Sequence, residues 1–146
     1  MIRINDFIPS FATLMNIHVL VVDNDIDSRY LWTVLLEDYG VKVNTAGTIK
    51  EALVFLLENT PDILVCEIRF FGESIYPLIN QLRHAALIRD KPIPILVTST
   101  CLPSSLAQNL AVQVEAYLLK PINPDDFVTT IRNLIHPASL VKSEIN

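Results

Sequence analysis

Residues 61–72 read PDILVCEIRFFG. An apolar run, Ile63 to Cys66, is followed by one acidic residue, Glu67, and then by a loop that closes on Gly72. A short continuous apolar run between turn signals is the pattern of a strand covered on both faces, as in parallel sheets. The fold therefore turns on whether the chain repeats that pattern.

Strand-length segments occur five times in all, with helical periodicity between them. The strand segments are IHVLVV (17–22), VKVNTA (41–46), DILVC (62–66), IPILVT (93–98) and EAYLL (115–119). VKVNTA alternates like an outer strand. The first helix is capped by Asp25 or Asp27, sets Leu31, Val34 and Leu35 on one face and ends at Gly40. Thr48 and Glu51 form a capping box for a helix over about 48–59 that buries Ala52, Phe55 and Leu56. Ile75, Leu78, Ile79 and Leu82 mark a third helix over about 74–88, and a short fourth is read at about 103–111. Asn123 caps a last helix that begins at Pro124 and turns Phe127, Ile131, Leu134 and Ile135 inward. Residues 1–16 read as an N-terminal extension, 17–136 as one domain and 137–146 as a tail.

Composition narrows the function. At 146 residues, 51 % hydrophobic and 18 % charged, the chain suits a single α/β domain with a sizeable core. A net charge of −5 with unclustered Lys and Arg argues against a nucleic-acid surface. Every apolar stretch is broken by Asp, Glu, Lys or Pro before it reaches membrane-span length, and no secretory leader is evident, so a cytoplasmic protein is expected. Cys66 and Cys101 have neither metal nor redox spacing and read as reduced, buried thiols.

Strict strand–helix alternation implies right-handed crossovers and a doubly wound parallel sheet. Ligand chemistry in such folds gathers outside the carboxyl ends of the strands. Those ends carry Asp23 and Asn24, Glu67, Thr98 and Ser99, and Lys120. Two carboxylates, an amide, a hydroxyl and an ammonium are donors for a hard divalent cation and a phosphoryl-like anion. Taken singly, each residue is more simply a cap or a loop residue; their joint occurrence at strand ends is the signal.

From about His18 to Ile135 the chain resembles the receiver domains of two-component response regulators. The resemblance rests on VLVVDND, PDILVCEIRFFG, IPILVTS and AYLLKP, in order and at suitable separations. It implies a flavodoxin-like (βα)5 fold with strand order 2-1-3-4-5. It also implies an acidic pair for Mg²⁺ and an aspartate ending the third strand that takes a phosphoryl group from a histidine kinase. A Ser or Thr and a Lys contact the phosphoryl oxygens, and Tyr117 matches an aromatic switch position. The Lys120–Pro121 bond matches one that is cis in the family. The surface of the fourth predicted helix, fifth strand and last helix is one receivers use for dimerisation or partner docking.

Two departures fall on central positions. Glu67 stands where the resemblance puts the phosphoacceptor aspartate, and Asn24 where it puts the second acid of the metal pair. Phe71 and Ala116 are lesser departures, and either Thr98 or Ser99 fits the hydroxyl position, with Ser99 preferred. One extra methylene moves a carboxylate by about 1.5 Å, a shift that costs about 100-fold in a placement-dependent transfer. A neutral Asn24 leaves the set Asp23, Asn24 and Glu67 one charge short, so weak Mg²⁺ binding is expected. The expected function is a stand-alone, non-enzymatic receiver that acts through a histidine kinase or separate output protein without phosphorylation. Glu67 is then either a standing charge directed at Lys120 and Ser99 or an inert relic. The alternatives are a phosphorylatable, Mg²⁺-dependent receiver and a flavodoxin-like anion binder. With 3 glycines and no glycine-rich loop, the last has little support. Tyr30 and Trp32 read either as partner contacts or as packed aromatics.

Overall fold

In the computed structural model, which describes residues 13–70, 72–100 and 114–137, the five apolar runs pair side by side. β1 (His18–Val22), β2 (Lys42–Ala46), β3 (Ile63–Glu67), β4 (Ile95–Ser99) and β5 (Ala116–Leu119) form one parallel sheet ordered β2-β1-β3-β4-β5. The predicted order and class are both observed, with β2 at an edge. Side chains alternate across the sheet. Leu20, Val22, Leu64, Cys66, Ile95 and Val97 pack on one face, and Val19, Val21, Ile63, Val65 and Leu96 on the other.

Four described helices cover these faces. α2 (Ile49–Leu56) and α3 (Tyr76–Arg89) lie on the first, through Ala52, Leu56, Leu78, Ile79 and Leu82. α1 (Ile26–Glu37) and α4 (Pro124–Ile135) lie on the second, through Trp32, Leu36, Phe127, Val128 and Ile131. Trp32 stacks on Phe127 with ring centroids 4.0 Å apart. Caps fix where the helices begin. Asp25 accepts from the Ser28 amide at 3.2 Å, Thr48 from the Glu51 amide at 3.0 Å, and Asn123 from the Asp125 amide at 2.8 Å. Glu51 returns to the amide of Gly47 at 2.9 Å, one residue earlier than a standard capping box.

Several expectations shift. Leu31 and Val34 are 51 % and 44 % exposed, and the inward side of α1 is carried by Trp32 and Leu36. The helix is apolar on both sides, so periodicity alone could not choose its packing face. Trp32 is thereby a core residue, whereas Tyr30 is 73 % exposed. β4 starts at Ile95 because Pro94 has no N–H for the ladder; its carbonyl accepts from Leu64 instead. β3 extends one residue further than read, so Glu67 is its last member. Leu14 is buried in the α1/α4 core. The predicted fourth helix over 103–111, Cys101 and Phe71 lie outside the described residues. Among the described residues no helix is long and apolar enough to cross a membrane.

The sheet order reverses between β1 and β3, which opens a crevice at their carboxyl ends. Val22 is paired with Cys66 and Glu67 with Thr98. That register sets Asp23, the residue after β1, beside Glu67.

Candidate functional site

The rim is organised around one ammonium. Lys120 Nζ lies 2.8 Å from Asp23 Oδ2 and 2.8 Å from Glu67 Oε2. Lys120 reaches this point from the turn after β5, where its amide donates to the Ser99 carbonyl at 2.7 Å and its bond to Pro121 is cis. Asp23 and Glu67 are 2 % and 5 % exposed. Burial works against the charge of Lys120, but its hydrogen bonds to Asp23 and Glu67 outweigh that and hold its pKa above the ordinary lysine value.

The remaining carboxylate oxygens also have donors. Glu67 Oε1 accepts from the amides of Ile68 at 3.1 Å and Arg69 at 3.2 Å. Asp23 Oδ1 accepts from the Asp25 amide at 2.8 Å. The Arg29 guanidinium donates to the Asp23 carbonyl at 2.6 Å. It packs close to Gly47: a Cβ there would meet Nη1 at 3.0 Å, so a larger residue at 47 would require the guanidinium to shift. Asn24 does not point at the carboxylates: its Nδ2 donates to the Arg69 carbonyl at 3.2 Å. Asp25 caps α1, and the Ser28 hydroxyl holds its carboxyl below the usual range.

A cleft of about 650 Å³ opens above these groups, lined by Asn24, Asp25, Glu67, Arg69, Thr100 and Lys120 among others. Thr98 and Ser99 are each 1 % exposed and are not among its lining residues; the hydroxyl-bearing residues that line the cleft are Ser28 and Thr100, neither singled out from the sequence. Tyr117 is half-buried on β5, opposite Val97, and packs against the α2/α3-side core. Cys66 is fully enclosed, and burial, then the charges of Glu67 and Asp23, push its thiol far up, so it is an inert core residue. Expected residues Asp23, Glu67 and Lys120 therefore converge, while Asn24 serves a backbone carbonyl. A further carboxylate was missed: Glu73 accepts from the amides of Ile49 and Lys50 at 3.1 and 3.0 Å, across from the start of α2.

An acid-and-lysine rim at the switch point of a 2-1-3-4-5 sheet has a counterpart among known families. Residues 19–132 match the family described as "Response regulator receiver domain". The chain belongs to that family. This receiver is 31 % identical over 121 residues to a 14.6 kDa protein of the sodA1 3' region of Leptolyngbya boryana, covering 82 % of this chain and 91 % of that one. It is 28 % identical over 120 residues to response regulator Rre1 of Synechocystis, covering 82 % of this chain but 52 % of Rre1. The receiver thus spans nearly all of the first relative and about half of the second. Among solved structures, Vibrio cholerae chemotaxis protein CheY4 superposes with a TM-score of 0.70 at 25 % identity, covering 81 % of this chain and 98 % of that one. A signal receiver domain from Vibrio parahaemolyticus matches in fold with a TM-score of 0.71 at 20 % identity, covering 90 % and 99 %.

Proposed function

We propose that this receiver is an atypical member that acts as a protein-interaction module without phosphorylation, with Glu67 in the phosphoacceptor position. The observation that carries this reading is the engagement of the Glu67 carboxylate by Lys120 and by two backbone amides. A negative charge is thereby already held on the rim's cation. In the family that cation contacts the phosphoryl oxygens, so Glu67 supplies as a permanent group a charge that phosphorylation would supply transiently. The domain is accordingly not an enzyme.

Mg²⁺ fits this arrangement poorly. Each of the four carboxylate oxygens of Asp23 and Glu67 already holds a donor, and the Lys120 ammonium sits between the two groups at 2.8 Å from each. Asn24 adds no charge, and among the described residues no group of three or more His, Cys, Asp or Glu is placed to hold a metal. Mg²⁺ demands near-octahedral oxygen ligands and gives up water reluctantly.

A protein partner is supported by α1. Ile26, Tyr30 and Val34, 68 %, 73 % and 44 % exposed, form one outward stripe at helical spacing. The exposed acids Asp27, Glu37 and Asp38 flank it. An apolar stripe with an acidic border suits a partner helix with basic flanks and disfavours a second copy of the same face.

The experiment is label uptake from acetyl phosphate in excess Mg²⁺. The wild type is expected to take up none. Stoichiometric, acid-stable labelling that disappears in Glu67→Gln would establish the alternative, a phosphorylatable receiver.

A further inference from the structure

The connection from β3 to α3, described at residues 68–70 and 72–75, is anchored at three points. Its first two amides, those of Ile68 and Arg69, donate to Glu67 Oε1. The Arg69 carbonyl accepts from Asn24 Nδ2 at 3.2 Å, which ties the loop across the cleft to the β1–α1 turn. At the far end, Glu73 Oε1 accepts from the Ile49 amide at 3.1 Å and Oε2 from the Lys50 amide at 3.0 Å. Those amides belong to the first two residues of α2, which no intrahelical carbonyl can satisfy, and the helix dipole favours a carboxylate there.

We infer that Asn24 and Glu73 are positioning residues that close this rim without a cation. The inference rests on the metal-independent reading above. A carboxamide has two N–H donors and an ionised carboxylate has none. With asparagine at position 24, the side chain itself links the β1–α1 turn to the Arg69 carbonyl. An aspartate there would set an anion against a carbonyl oxygen, and the two would close only with a cation between them. The residue at 24 therefore decides whether the loop is latched by the protein alone or by metal. Glu73 carries the latched position to α2, so the order of the α2 N-terminus depends on the rim.

Amide hydrogen exchange on the full chain, followed in peptides covering 68–75 and 48–52, tests this with Mg²⁺ as the only added ion. The wild type is expected to exchange at the same rate with and without millimolar Mg²⁺. Asn24→Ala loses one hydrogen bond and exchanges about three- to tenfold faster in 68–75, with no recovery in Mg²⁺. Asn24→Asp is as fast without Mg²⁺ and returns toward wild type with it, a rescue that a purely structural role for Asn24 does not produce. Glu73→Gln raises exchange in 48–52. Asn24 is exposed, so its two variants fold. Wild-type rates in Asn24→Ala, or Asn24→Asp indifferent to Mg²⁺, overturn the inference. Its failure is separable from that of the proposed function. Phosphoryl label on a wild type whose exchange ignores Mg²⁺ removes the function and leaves the latch. Mg²⁺-dependent exchange in a wild type that takes no label does the reverse.

Discussion

Lys120→Met removes the ammonium on which Asp23 and Glu67 both close. The side chains of Asp23, Glu67 and Lys120 are 3 %, 6 % and 16 % exposed, so neither carboxylate regains much water when the cation goes. Removing one partner of a buried ion pair costs about 3–5 kcal/mol. The lower end applies, because Glu67 keeps the Ile68 and Arg69 amides and Asp23 keeps the Asp25 amide. A loss of about 3 kcal/mol corresponds to a melting temperature roughly 10 °C lower in a domain of this size. Urea melts followed by the fluorescence of Trp32, which is buried against Phe127, measure it directly. The pH dependence has a definite sign. Lys120 binds its proton more tightly folded than unfolded, so its stabilisation is complete below the ordinary lysine pKa of about 10.4. It is lost as pH rises through the higher folded value. The gap between wild type and Lys120→Met is thus flat from neutral pH upward and narrows in strong alkali. Adding Glu67→Gln to Lys120→Met should recover part of the loss, since one of the two uncompensated charges is then gone. A gap below about 0.5 kcal/mol at neutral pH, the range of an ordinary surface substitution, would refute the reasoning.

Two further outcomes are expected. Calorimetric titration with Mg²⁺ should show no saturable binding below millimolar concentration, and a sub-millimolar site would contradict the donor arrangement around Asp23 and Glu67. At the opposite end of the sheet, burial works to raise the pKa of Asp62, but the His18 amide at 2.8 Å and the Arg89 guanidinium outweigh it and lower it. Asp62→Asn should therefore cost about 1–2 kcal/mol at neutral pH, a cost present above the ordinary aspartate value and lost as pH falls through the lower folded one. Denaturant melts at several pH values check it, and a pH-independent difference would count against it.

The sheet was legible because a parallel strand buried on both faces writes itself as an uninterrupted apolar run, as ILVC and ILVT do. Caps were legible because Thr48 and Asn123 act on amides two or three residues away. α1 was misread in orientation because Leu31, Val34, Trp32 and Leu36 are all apolar, and only the stacking of Trp32 on Phe127, far away in sequence, selects the inward side. Convergence at the rim could be anticipated, since strand order brings Asp23, Glu67 and Lys120 together. The Glu67–Lys120 pair could be anticipated too; that Asp23 shares the same ammonium could not. The double engagement of Lys120, the amide bridge from Asn24 to Arg69 and the reach of Glu73 to α2 are contacts between loops. No periodicity reports contacts of that kind, and Glu73 has no local sequence signal at all.

The claim at the centre is that Glu67 is a standing substitute for a phosphoryl group. It is tested most directly by the affinity of three forms for the protein that co-purifies with the wild type, once that protein has been isolated. The forms are the wild type, the unphosphorylated Glu67→Asp/Asn24→Asp variant, and that variant labelled with acetyl phosphate in Mg²⁺. The variant shortens the nucleophile and restores the missing metal charge, while Lys120 remains to hold the phosphoryl oxygens. The wild type is expected to bind tightly, the unlabelled variant more weakly, and the labelled variant to recover the affinity. Equal affinity in all three forms would contradict that claim and leave Glu67 an inert acid on a constitutive docking module.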